Sequence, residues 1–161
     1  LPFEAMRKKL LDYNAMRIVI KDGKEVWEST SRPYLRSNDD LEILNRYNSE
    51  IRGIYNYYCI ANNVNILNSF YGIMKESMYK TFSSKYESTV RKIANKYCKD
   101  KIFTVRYQNK KGEWLERTLY HGGFRLNKEA RIDNAHIMPN YYGMESTSLM
   151  ARLKAHKCEY C

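Results

Sequence analysis

The chain has 161 residues, 43% hydrophobic and 29% charged, with 28 Lys+Arg against 18 Asp+Glu and a net charge of +10. The apolar share excludes disorder of the whole chain, and the length holds one ordinary domain or two small ones. No run of about 18 apolar residues occurs, which excludes a helical membrane span.

The first element follows Pro2, which suits a first helical turn. Phe3, Met6, Leu10 and Tyr13 recur at spacings of three and four, so 3–14 is predicted as a short amphipathic helix. Ile18–Ile20 and Val26–Trp27 flank Asp22-Gly23, a two-residue turn signal, and predict a hairpin over 16–28. Ser29 to Ser37 contains Pro33 and little periodicity, so it reads as a connector. A second helix is predicted over 39–61. Asp39 followed by Glu42 has capping-box spacing, and Leu44, Tyr47, Ile51, Ile54, Tyr55 and Tyr58 form its apolar stripe. Asp39 and Asp40 are read as cap and first-turn anions rather than metal ligands.

Residues 64–97 contain no Pro and only Gly72, which predicts one long helix of about 50 Å. Met74, Met78, Phe82, Tyr86, Val90, Ile93 and Tyr97 give its apolar stripe. On the other side Ser77, Lys80, Thr81, Ser84, Ser88 and Arg91 fall within about 100° of one another. That face offers four hydroxyls and two cations with no acid, a combination suited to a phosphodiester backbone; an ordinary polar helix face is the alternative. Cys98 to Lys101 breaks the pattern. Ile102–Tyr107 and Trp114–Tyr120 then flank a Lys111-Gly112 turn and predict a second hairpin. From Phe124 to Met144 no period is clear, and 146–157 could form a last short helix.

Composition and charge point toward nucleic acid. Of the aromatics 15 are Tyr, against 2 Trp and 5 Phe, and stacking rings interleaved with cations are what a nucleic-acid surface needs. The charge is uneven: residues 1–63 are net +1, 64–97 net +4 and 98–161 net +5. A basic globular protein with a Tyr-rich core is the plainer alternative. Hydrolytic and acid–base chemistry finds little support, since His121 and His136 are isolated and there is no phosphate loop, nucleophile elbow or His-Glu-x-x-His. Cys158 and Cys161 form a Cys-x-x-Cys pair, which is half of a zinc site, a pair of inert thiols, or a redox pair. Cys59 and Cys98 read as a small apolar filler and a boundary residue. Free thiols and the lack of a basic-then-apolar leader favour a reducing compartment.

Several stretches together carry a resemblance. Asn38-Asp39-Asp40-Leu41-Glu42-Ile43-Leu44, Arg52-Gly53-Ile54-Tyr55-Asn56-Tyr57-Tyr58, Ser77 to Tyr86 with its Ser-x-x-Lys-Thr-x-x-x-Lys pattern, and Ser88-Thr89-Val90-Arg91 occur in that order. They resemble the maturase domain, domain X, of group II intron-encoded reverse transcriptases, over residues ~34–97 and more loosely over most of the chain. The resemblance implies a mainly α (α+β) fold, a thumb-like bundle of about three helices with two β-hairpins and an irregular basic C-terminal extension. It implies a domain X over 1–121, a basic DNA-binding-like region over 122–157, and at 158–161 the start of an HNH zinc module to which Cys158 and Cys161 would contribute.

The implied partners are group II intron RNA during splicing, a template–primer duplex during copying, target DNA through the C-terminal region, and the polymerase palm of the same parent chain. The family's Tyr-Ala-Asp-Asp motif, with its Mg, is absent, as are the HNH catalytic residues, so this stretch is expected neither to polymerise nor to cut. It is expected to be a piece of a longer chain, intracellular in a bacterial cytoplasm or an organelle, with no membrane partner. The RNA-contact candidates are Ser77, Lys80, Thr81, Ser84, Lys85, Ser88 and Arg91 on the long helix, and Arg52, Asn56 and Tyr57 on the helix before it. Other readings are a DNA-binding and endonuclease lead-in centred on 98–161, and a structural connector whose basic face docks an acidic protein.

Overall fold

The computed structural model describes residues 3–127. Their element order is α1 (Phe3–Asp12), β1 (Met16–Lys21), β2 (Lys24–Ser29), a 3-10 turn at Pro33–Leu35, α2 (Asp40–Tyr58), a 3-10 turn at Val64–Ile66, α3 (Leu67–Lys85), α4 (Val90–Tyr97), β3 (Cys98–Lys99), β4 (Ile102–Gln108) and β5 (Trp114–Thr118). The fold is α+β: four helices with a two-stranded antiparallel sheet, β1-β2, and a three-stranded one, β3-β4-β5.

The first hairpin forms where expected. Asp22 and Gly23 both have positive φ, 50° and 73°, as a tight turn matched to strand twist requires, and they set Lys21 opposite Lys24. A second turn of this kind escaped the sequence reading. Asp100 and Lys101 at φ 50° and 66° fold Cys98–Lys99 back onto Ile102–Phe103, so the expected break is the short strand β3. In the second hairpin Gly112 has φ 81°, and the Asn109 side chain closes the loop by accepting from the Lys111 and Glu113 amides at 2.9 and 3.0 Å.

The core lies where α2 and α3 meet α1, α4 and the inner face of β4. Met6, Leu10, Leu44, Tyr47, Ile51, Phe70, Met74, Met78, Phe82, Ile93, Phe103 and Val105 are all buried. Alternation along β4 sends Phe103 and Val105 inward, where the Phe103 ring packs on Phe82, Tyr79 and Tyr97. Asn48 of α2 then ties down the end of β5. Its Nδ2 donates to the Thr118 carbonyl and its Oδ1 accepts from the Tyr120 amide, at 2.9 and 2.7 Å. The chain beyond β5 stays on the same unit. Phe124 is buried against Tyr55, and the Asn127 amide donates to the Cys59 carbonyl. The compact unit runs to Lys128.

The long helix expected over 64–97 is corrected to a 3-10 turn followed by two helices. α3 ends in a left-handed turn: Glu87 has φ 46°, and the Ser88 amide reaches back to the Ser83 carbonyl, the six-to-one bond of a Schellman ending. Thr89 then caps α4, its Oγ1 accepting from the Lys92 amide. Glycine normally takes the left-handed position, and Glu87 carries the steric cost of a Cβ there. Glu87→Gly is therefore expected to raise stability by about 1 kcal/mol in urea unfolding; an unchanged or lower midpoint would refute the strain.

Asp40 holds this break to the start of α2. Asp39 is the N-cap residue but makes no side-chain cap bond, so the capping box is not formed. Asp40 faces inward instead and accepts from Lys85 Nζ at 2.7 Å, from Tyr97 Oη at 2.6 Å and from Tyr86 Oη at 2.8 Å. Partial burial works to raise its pKa, but the three donors outweigh it and hold the carboxyl below its ordinary 3.8. The folded state thus binds this proton less well than the unfolded chain. The stability contributed is complete above about pH 4 and is lost as pH falls through the lower folded-state value. Asp40→Asn should cost on the order of 2 kcal/mol at pH 7, and its gap from wild type should close as the pH is lowered. A gap that persists in acid would mean that shape, not charge, holds the break.

Candidate nucleic-acid interface

Two of the expected RNA contacts point inward. Ser77 and Thr81 are fully buried. Ser77 Oγ donates to the Thr30 carbonyl at 2.6 Å, and Thr81 Oγ1 donates to the Ser77 carbonyl while accepting from the Arg32 amide, both at 2.9 Å. With those two hydroxyl protons engaged, the single proton of the Tyr47 hydroxyl, 2.9 Å from both oxygens, bridges the pair. These residues fasten the connector after β2 onto α3 and have no surface for a ligand. Lys85 is likewise engaged within the fold, its ammonium bonded to Asp40 and to the Asn38 carbonyl at 2.6 Å.

Beneath the connector sits a buried cation. Arg32 has no exposed surface; its guanidinium lies 4.3 Å from the Tyr47 ring centre, and its Nη1 donates to Glu50 at 2.7 Å. Arg46 meets the other Glu50 oxygen from the surface at 2.8 Å.

This fastening builds a groove. Because the connector is pinned to α3, Ser29, Thr30 and Ser31 lie beside Lys80, Ser83, Ser84 and Ser88, and Arg17 of β1 joins from the side. The groove is open, with a volume of about 530 Å³. Lys80 spans its floor, donating to the Ser29 carbonyl and Oγ at 2.8 Å, with Glu76 at 3.3 Å. Arg17 pairs with Glu28 at 3.0 Å, and Glu87 is the one acid on the lining. Lys80, Ser84 and Ser88 of the expected face are thus brought together. Arg91 follows in the first turn of α4, exposed and without an ion-pair partner among the described residues.

Arg17, the Ser29–Ser31 run, Ser83 and Glu87 are the groove residues that sequence reasoning missed. Three consecutive hydroxyl residues were the available signal. The α2 candidates are not brought into this groove. Arg52, Asn56 and Tyr57 are exposed, Arg52 lies 5.9 Å from the Tyr120 ring centre, and Tyr57 meets Tyr58 edge-on. Tyr55 is structural, donating to the Arg125 carbonyl at 3.0 Å.

No group of three or more His, Cys, Asp or Glu fit to hold a metal occurs among the described residues. Cys158 and Cys161, with nearly all of the expected DNA-binding-like region, lie outside them. No helix among the described residues is long and apolar enough to cross a membrane.

Comparison with known proteins agrees with the residue patterns. The family model described as type II intron maturase matches residues 2–128, the span of the compact unit. The group II intron-encoded protein LtrA of Lactococcus lactis subsp. cremoris is 36% identical over 149 residues, as is its counterpart in strain MG1363. The match covers 90% of this chain but 24% of each relative, so the chain spans about a quarter of their length. With the family pattern running through the whole unit that forms the groove, the chain belongs to the type II intron maturases.

Proposed function

We propose that this domain binds the structured RNA of a group II intron through phosphate and 2′-hydroxyl contacts, with little base readout, and so supports splicing. The observation that carries the reading is the groove, in which hydroxyls from two chain segments converge beside Lys80 and Arg17. Hydroxyls hydrogen-bond sugar and phosphate oxygens, cations neutralise phosphate, and neither distinguishes one base from another. Exposed Arg91 and Lys92 extend the cationic surface onto α4. The similarity to a group II intron-encoded protein supports intron RNA as the partner.

A template–primer duplex presents the same backbone chemistry and would use the same groove when the parent chain copies RNA, with a polymerase palm of that chain alongside. On this reading the domain holds nucleic acid and does no chemistry on it. The test is equilibrium binding of a structured intron RNA at several salt concentrations, in wild type and in a Lys80→Ala, Arg91→Ala variant. A salt slope left unchanged by the double substitution would overturn the groove assignment. Equal competition by an acidic polypeptide would favour the protein-docking alternative.

A further inference from the structure

A second concavity, of about 220 Å³, lies between α3, the start of β4 and the segment after β5. Its wall is aromatic, with Tyr71 and the buried Phe124 edge-on at 5.8 Å. Its rim is cationic: Lys75 and Lys101 line it, no acidic side chain does, and neither lysine has an ion-pair partner among the described residues. Polar groups complete it. Asn68 Nδ2 donates to the Asn65 carbonyl at 2.9 Å, leaving Oδ1 as an acceptor. His121 Nδ1 lies 3.0 Å from the Leu119 carbonyl, which can only accept, so Nδ1 carries the proton and Nε2 is the free ring nitrogen.

We infer that this cleft receives one unpaired nucleotide of a bound RNA strand, its base on the aromatic wall and its phosphate on Lys75 and Lys101. The inference rests on the RNA-binding reading and adds to it a place where single-stranded RNA is held. Size decides the class of occupant. The volume is below the roughly 300–1,000 Å³ of sites for drug-sized ligands, which leaves room for one base. Charge decides the rest, since an apolar wall with two unpaired cations and no acid favours an aromatic anion over a neutral ring. The backbone groove lacks such a wall: its lining is hydroxyl and charged. A duplex with every base stacked inside has nothing to place in the cleft, whereas a bulged or looped-out nucleotide does.

The experiment compares two RNA hairpins, identical except for a single-nucleotide bulge, in binding to the full 161-residue chain and to a Lys75→Ala, Lys101→Ala variant. Both lysines are accessible, so the variant should keep its fold by circular dichroism. Wild type should bind the bulged RNA about ten-fold more tightly than the paired one. The variant should lose that preference while binding paired RNA within about three-fold of wild type. Equal wild-type affinity for the two hairpins, or a preference that survives the substitutions, would overturn the proposal. If neither RNA binds, the reading of the groove fails, and titration with adenosine and uridine monophosphates decides the cleft separately. Saturable amide shifts at His121 and Gly123 would support a nucleotide site open to free nucleotides, and none would refute it.

Discussion

Arg32→Ala is expected to cost about 3–5 kcal/mol of folding stability, the largest loss from any single side chain outside the apolar core. Arg32 and Glu50 are both buried, so removing the guanidinium strands a carboxylate that only surface-exposed Arg46 still meets. The loss includes the guanidinium stacked on Tyr47. In a unit of this size the melting temperature should fall by more than about 10 °C. Arg32→Lys should not restore it, because an ammonium can neither lie flat on the ring nor match the guanidinium's donor geometry. Arg32→Met combined with Glu50→Leu should recover much of it by removing both charges at once. Urea unfolding of the three variants beside wild type checks this, and an Arg32→Ala loss below about 1 kcal/mol would show that the pair is not structural. A functional consequence follows from position. The Arg32 amide bonds to Thr81, and the connector that Arg32 anchors forms one wall of the groove. RNA affinity should fall with stability in Arg32→Ala and return in the doubly apolar variant.

The same cluster explains how far the sequence could be read. The period placing Ser77, Thr81 and Ser84 on one face of α3 is correct, and so is the start of α2, but Ser88 lies past the end of α3, beyond left-handed Glu87. What periodicity cannot say is that half of a polar face is an inner one. Hydropathy sends Ser and Thr outward by default, and it is partners distant in sequence, the Thr30 carbonyl, the Arg32 amide and the Tyr47 hydroxyl, that give Ser77 and Thr81 a reason to turn in. The break at Glu87 was hidden for a local reason. A left-handed residue is read from Gly or Asn, and Glu gives no such signal. The visible clue was Ser88-Thr89, a helix-capping pair inside what looked like continuous helix. Asp22-Gly23 stands at the other extreme, where two residues specify the turn and the register without tertiary help.

Correcting that face also changes what substitution of the surviving residues should do. Lys80→Ala with Arg91→Ala should lower RNA affinity roughly ten-fold at physiological salt, at about 1 kcal/mol or less per exposed ion contact. The plot of log K against log salt should become shallower by roughly 1.4–1.8, since each neutralised phosphate contributes about 0.7–0.9. The two sites are not equivalent. Arg91 has no ion-pair partner among the described residues, so its removal should change the slope and leave stability untouched. Lys80 also holds the Ser29 carbonyl and hydroxyl, so its removal loosens the connector as well as deleting a charge. Lys80→Arg separates these effects, since it keeps the charge that sets the slope while altering the donor geometry at Ser29. If the groove is the RNA seat, Lys80→Arg retains the wild-type slope with a reduced unfolding midpoint, and Arg91→Ala shows the reverse. If Lys80 serves only to pin the connector, Lys80→Ala lowers the midpoint and leaves the slope where it was. RNA would then have to sit on the exposed cations of α4 without the hydroxyls behind them.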